Sequence, residues 1–531
     1  MSTPASIIKV CSGVRLNPSY EHTIYFPTPE AQIAYFTGKV KKTFPAYTYL
    51  RKSWSVKVGA SMEEARTWSY LFFTNPNGKT YYYFITNIEY VNDGTVELFL
   101  ELDVMQTYYF DYDLLESFVE REHVLYDEIG GNLVDEGLEL GEYVINDLVV
   151  KVTELDELCI LMLTTIHPTQ TTKEQTVVIT GSNIGGVYSG VGITATDFED
   201  WSDLSNTLAN LDAWGKSDGI LAIWMYPKAL ITLAEGYSWG DDNVCKLIGA
   251  NKTITVGNNL FINQYLDAYE PKNNKLYSYP YNMLYASNND GGHAVYRYEW
   301  FMSGACKFKI GGSISPDGGV KMWPLMYNRV EESYEDGLVG QKYPSCAWNQ
   351  DTYKLWLAQN QAQNNLALAS GFGTMIAGAT LTATTGGLGG IAGGGTFISG
   401  LTQVTSLLAQ RKDASIQPPQ AKGNHSANVN VTQDYATFTF MQKSIDYEHA
   451  RIIDDYFKLY GYKQNRIGVP ATCNRENWTY TKTVGCHIAG NLCTDDLLKI
   501  ESVYNNGVTF WRNGDSIGNY SLSNKPLSNL D

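Results

Sequence analysis

Tyr81-Tyr-Tyr-Phe-Ile-Thr-Asn-Ile-Glu-Tyr90, a turn at Asn92-Asp93-Gly94, then Thr95-Val-Glu-Leu-Phe-Leu-Glu-Leu102: this stretch decides the fold class. Aromatic and β-branched residues favour a pleated surface, and Asn-Asp-Gly accepts the positive φ of a tight hairpin turn. In the second run Val96, Leu98, Leu100 and Leu102 share one face, and Glu97, Phe99 and Glu101 share the other. That period of two predicts strands rather than a helix. Just upstream, Asn75-Pro-Asn-Gly-Lys-Thr80 is a second turn cluster. Its Gly78-Lys79-Thr80 ends like a phosphate-binding loop, but Phe73 stands where the first glycine is required, so it reads as a hairpin turn.

The rest of the chain repeats this character. There are 38 tyrosines against 19 phenylalanines and 12 tryptophans, and 48 glycines, a mixture that favours strands and turns over helix bundles. Residues 126–350 carry short apolar runs between turns, such as Cys159–Leu163, Ile220–Met225 and Val295–Phe301. Only 200–214 in that region has a helical pattern, and the region reads as one or two inserted β-rich domains. A further amphipathic helix is expected at Tyr447–Tyr460. The expected fold class is mainly β, with a few helices and one inserted apolar, Gly-rich hairpin loop. At roughly 100–200 residues per domain, 531 residues suggest three or four domains. The expected borders are 1–130, 131–350, 351–420 and 421–531.

Charge narrows the function. With 39 basic and 56 acidic residues the formal charge is −17, and no basic run exceeds Lys41-Lys42. Phosphate neutralisation needs concentrated Lys and Arg, so a primary nucleic-acid binder is excluded, though not a wall that nucleic acid slides past. The start lacks the basic and apolar regions of a secretion signal. Eight scattered cysteines without a C-x-x-C pair are expected to be reduced thiols.

One segment breaks the pattern. From Leu355 to Gln410 there are 56 consecutive residues without Asp, Glu, Lys, Arg or His, and eleven glycines fall between Gly371 and Gly400. A 20-residue helix spans about the 30 Å of a bilayer core. Residues 366–385 and 391–410 supply two such arms around Gly386–Gly390. The first carries Leu366, Leu368, Phe372, Met375, Ile376 and Leu381; Leu388 sits in the turn and Ile391 opens the second arm. In the second arm Phe397, Leu401, Val404 and Leu408 line one helical face, joined by Ile398 and Leu407, while Ser399, Thr402, Gln403 and Ser406 lie opposite. Leu and Ile are too sparse for constitutive insertion, but small residues permit close helix–helix approach in a membrane. The segment reads as conditionally membrane-penetrating. A buried helical hairpin in an assembly core, or a Gly-rich loop lining a cavity, is the alternative.

Catalytic patterns are missing. The seven histidines form no H-x-H, H-x-x-x-H or H-E-x-x-H, and no G-x-S-x-G elbow exists. Glu63-Glu64 and Glu331-Glu332 are adjacent, not separated across a cleft, and read as solvated surface. Glu120-Arg-Glu-His123 reads as a salt-bridged strand or interface rather than a catalytic group. The expectation is no enzyme activity and no cofactor or metal.

Separated motifs in a fixed order carry a family resemblance. Glu101–Tyr108, Glu116–Val124 and Asp135–Tyr143, then Tyr460–Arg466 and Asn505–Trp511 with Ile517–Ser521, together with the apolar Gly-rich insertion between them, stand in the same order as in one family. The chain resembles the tail knob proteins, also called distal tail tube or major tail proteins, of picovirus-type short-tailed phages of Gram-positive bacteria. The match covers roughly residues 80–145 and 355–525 and is loose over 145–350. The resemblance implies a homohexameric β-rich tube at the distal end of the virion tail, assembled in the host cytoplasm. It implies contacts with the proximal tube or lower collar and the tail tip, and genomic DNA passing through the lumen without specific binding. It implies too that the uncharged loops plug the tube and then form a pore in the host cytoplasmic membrane. A tail-tip receptor-binding or cell-wall-degrading protein is the alternative.

Overall fold

The computed structural model describes residues 5–48, 55–76, 78–155, 157–164, 182–184, 187–189, 192–197, 220–233, 247–249, 252–257, 266–312, 314, 319–340, 345–347 and 438–529. The chain divides into two compact units. One comprises Met1–Gly141, Ala268–Ser278 and Asp446–Asp531; the other comprises Glu142–Asp267 and Tyr279–Ile445. The fold is mainly β, as the hairpin pattern predicts. The expected hairpin loop over the uncharged segment, and the helix expected at 200–214, lie outside the described residues.

In the first unit the hairpin forms as read. Thr80–Asn92 pairs antiparallel with Thr95–Leu102 through Tyr90↔Val96 and Asn92↔Thr95. The preceding turn joins Tyr70–Thr74 to Thr80–Asn92: Asn75 N–H donates to the Lys79 carbonyl at 2.9 Å, and Gly78 takes φ +85°. A six-stranded antiparallel sheet results, in the order 40–48, 5–11, 70–74, 80–92, 95–102, 55–58. Both faces of its centre are buried. Tyr70, Phe72, Tyr82 and Phe84 pack into one core, while Leu71, Phe73, Tyr83, Val96, Leu98 and Leu100 pack into another. This accounts for the tyrosine-rich run at 81–83: an aromatic ring fills each side in turn, stacking as in Phe72–Tyr82 (5.7 Å) and Phe73–Tyr83 (6.0 Å).

A second sheet draws strands from both ends of the chain, in the order 22–24, 508–511, 478–484, 117–122, 462–468. Only the 22–24 and 508–511 pair is parallel. The helix Tyr447–Tyr460 occupies the expected span. Asp446 caps it by accepting from the N–H groups of Glu448 and His449, both at 3.0 Å. Gly461 ends it at φ +67°, where an added Cβ would stand 2.2 Å from the Glu122 carbonyl oxygen. No larger residue fits that approach.

The second unit packs three sheets on one apolar core. One has the order 143–151, 439–445, 282–287, 293–296; the next 192–197, 158–164, 220–227, 345–347; the third 252–256, 306–312, 320–327, 330–332, with Leu338–Val339 also pairing with 320–327. Ile160, Trp224, Leu284, Phe308, Met322 and Phe440 meet in the shared core. Six described cysteines, Cys11, Cys159, Cys306, Cys473, Cys486 and Cys493, are free thiols.

Candidate assembly surfaces

The residues read as membrane-penetrating, Leu366, Leu368, Phe372, Met375, Ile376, Leu381, Leu388, Ile391, Phe397, Ile398, Leu401, Val404, Leu407 and Leu408, lie outside the described residues. Of the flanking residues the structure describes Ser345–Ala347, which pairs with Ile220–Pro227, and Phe438, which is buried and leads directly into Thr439–Ile445. Thr439–Ile445 is an inner strand, hydrogen-bonded on both sides.

Each unit presents an apolar row that reaches the edge strand of a sheet, as far as the described residues go. In the first unit Ile467, Phe118 and Val484 lie side by side across three strands and are 73%, 39% and 57% exposed. Among the described residues Tyr462–Gly468 pairs with no strand besides Ser117–Glu122, while Glu136 and Asn132 bind Lys463 N–H and Gln464 Nε2 along it. In the second unit Val149, Met441, Tyr285 and Val295 form the row, with Ile145 and Tyr143 exposed further along the same edge strand. Tyr143–Lys151 alternates exposed and half-buried residues and pairs with Thr439–Ile445 alone among the described residues. Lys443 Nζ lies 3.4 Å from the centre of the Tyr285 ring, and His293 stacks on that ring at 5.3 Å. Open edges with apolar flanks are the features that pair with a further strand. Nothing in the sequence pattern marked these rows, because each is assembled from strands far apart in the chain.

Behind the first row lies an ionic core, and it settles the reading of Glu120-Arg-Glu-His123. Arg121 pairs with Glu136, which also binds Lys275, all three side chains being buried. Lys463 N–H donates to the same Glu136 at 3.0 Å. Glu122 pairs with Arg466 at 2.6 Å and Glu120 with Lys482 at 2.8 Å. Burial drives the Lys275 pKa down, opposed by Glu136. Burial, and then the charge of Arg475, push the His123 pKa well below its usual value, so the ring is neutral. Its Nδ1 accepts from Tyr480 N–H at 2.7 Å, which leaves Nε2 to donate to the Lys458 carbonyl at 3.2 Å. Glu120, Arg121 and Glu122 are thus the salt-bridged end of a strand, and the neutral His123 follows it. Of the other acid pairs, Glu64 binds Lys42 at 2.8 Å and Glu332 accepts from Lys309, Trp323 and Tyr334, which hold its pKa at about 2. Among the described residues no group of three or more His, Cys, Asp or Glu stands where it could hold a metal ion, and no helix is long and apolar enough to cross a membrane.

Comparison with known proteins completes the picture. A family model described as the C-terminal domain of Bacillus phage phi29 tail knob protein gp9 matches residues 249–525, and one for the caudoviral major tail protein N-terminus matches residues 4–113. The chain is 25% identical to the tail knob protein gp9 of Bacillus phage phi29 and 26% identical to that of phage PZA, each over 98% of both chains. In fold it is similar to the bacteriophage C1 tail knob protein gp12, with a TM-score of 0.66 and 15% identity over 98% of this chain and 100% of that one. The class so defined is a mainly β structural protein of a phage tail. The chain belongs to the tail knob family represented by phi29 gp9, and its place is the distal end of the virion tail.

Proposed function

We propose that the chain is the wall of the distal tail tube, six copies enclosing a lumen through which the genome leaves the virion. In this reading the uncharged segment of each copy plugs the lumen before infection and afterwards enters the host cytoplasmic membrane as a pore. The carrying observation is the 56-residue block without charge, inserted in a chain whose other residues hold all 95 charged side chains. Six sheltered copies can bury one another's apolar faces, which keeps the virion soluble. Once released, each arm gains about 25 cal/mol per Å² of apolar surface moved into hydrocarbon. The exposed apolar rows that reach the 462–468 and 143–151 edge strands support a wall made of several copies, and other tail proteins would meet it at its two ends. The acidity of the wall supports passage of DNA without adhesion, since like charge repels. The proposal extends to the absence of catalysis: the chain conducts and penetrates, and uses no cofactor.

The test is dye release from liposomes by the purified protein under a trigger such as a pH drop. Deleting residues 366–409 should abolish leakage and leave the oligomer intact. Leakage that survives the deletion contradicts the reading.

A further inference from the structure

The chain passes between its two units at four points, after residues 141, 267, 278 and 445. On the first unit's side the bordering segments converge on one helix, Tyr447–Tyr460. Gly141, at φ +68°, packs so closely on its N-terminus that an added Cβ would lie 2.3 Å from His449 Nδ1 and 2.6 Å from Asp446 Oδ2. Asp446, where the chain returns, is the helix cap itself. Between them the strap Ala268–Ser278 lies along the helix. The Tyr269 ring meets Tyr447 edge-on at 5.6 Å, and Lys275 Nζ lies 5.8 Å from the centre of Phe457.

The strap is held by one carboxylate. Asp454 is fully buried, and its two oxygens accept four hydrogen bonds from the strap. These come from Tyr269 Oη at 2.8 Å, Lys272 N–H at 2.8 Å, Asn273 N–H at 3.1 Å and Asn273 Nδ2 at 2.7 Å. Asn273 Nδ2 also donates to the Asp454 backbone carbonyl at 3.0 Å. The far end is fixed by buried Lys275 on Glu136 and by Asn274 on Asp127. Asp446 and Asp454 stand about 12 Å apart along the helix. Residues 279–445, which include the whole uncharged segment, thus begin and end on a single rigid element.

We propose that the 447–460 helix is a non-covalent clasp, with Asp454 as its catch, closing the base of the 279–445 stretch. Its effect is that of a crosslink without a covalent bond. The strands 282–287 and 439–445 already pair just inside these ends, so the helix is a second hold on the same base, made from the first unit's own residues. The clasp lets the enclosed stretch rearrange while the first unit keeps its packing. It stands apart from whether residues 355–410 enter a membrane.

Hydrogen exchange of the full-length protein, read by mass spectrometry, tests this. Asp454→Asn keeps the shape but turns an amide NH₂ towards donors. It should speed exchange in peptides covering 266–278 roughly tenfold or more, leaving peptides from 70–102 at the wild-type rate. Lys272→Ala, which removes an exposed pair with Asp455 and keeps the Lys272 N–H bond to Asp454, should leave strap exchange near the wild-type rate. Uniform acceleration throughout the first unit, or no acceleration in the strap, overturns the proposal. Should the Asp454 variant fail to fold, the wild type decides. Strap amides that exchange as slowly as those of the helix support the clasp, and strap amides as fast as exposed loops refute it.

Discussion

Glu136 sits on the irregular stretch between 123 and 142, yet its side chain is buried because two cations need it. Arg121 and Lys275 are both buried and both face that one carboxylate. Glu136→Leu removes the anion and strands the two cations, which should cost about 3–5 kcal/mol. Chemical denaturation of the variant beside wild type measures it. Asp103 poses the opposite case. It caps the Val104–Thr107 turn by accepting from Gln106 N–H at 3.1 Å, and accepts from Tyr70 Oη at 2.6 Å, all fully buried. Burial raises its pKa from 3.8 to about 6 against those hydrogen bonds. The folded state therefore holds this proton more tightly than the unfolded state does. The resulting contribution is complete below about pH 4 and is lost as pH rises through 6. In urea titrations between pH 4 and 7, the stability of wild type minus that of Asp103→Asn should fall across this window and level off above it. A flat or rising difference would contradict the burial argument.

At the scale of elements, the legible parts were those specified locally. The 80–102 hairpin follows from a period of two plus Asn-Asp-Gly, and the 447–460 helix from its apolar stripe between Asp446 and Gly461. Double-sided burial of the 70–74 and 80–92 strands was less visible, because tyrosine is compatible with a half-exposed face as well as with a core. The ionic core was legible only in part. Glu120-Arg-Glu-His123 announced a salt-bridged strand, but its buried partners come from Glu136 and Lys275, and no local spacing links them. The apolar rows had no signal at all: Phe118 meets Ile467 and Val484 only after strands more than 300 residues apart have paired. Because these side chains are exposed, Ile467→Asp with Val484→Asp should leave thermal unfolding of the single chain near wild type. It should also shift the purified protein from oligomer to monomer in light scattering after size exclusion. A double variant that still assembles would remove this row from the wall contacts.

For the whole molecule, the division of charge is the organising feature. The described residues build two β-rich units, and the uncharged block lies in sequence between the strands Ser345–Ala347 and Thr439–Ile445. Membership of the tail knob family puts such a chain at the distal end of the virion tail. A wall that conducts an acidic polymer benefits from being acidic, and a plug that must later enter hydrocarbon benefits from carrying no charge. Under the proposed function the two compositions would answer two requirements in one polypeptide. The most direct measurement is electron cryo-microscopy of the assembled knob. The account predicts six copies around a central channel, with density for residues 355–410 inside it before ejection. Density for that segment on the outer surface, or an assembly with no channel, would contradict it.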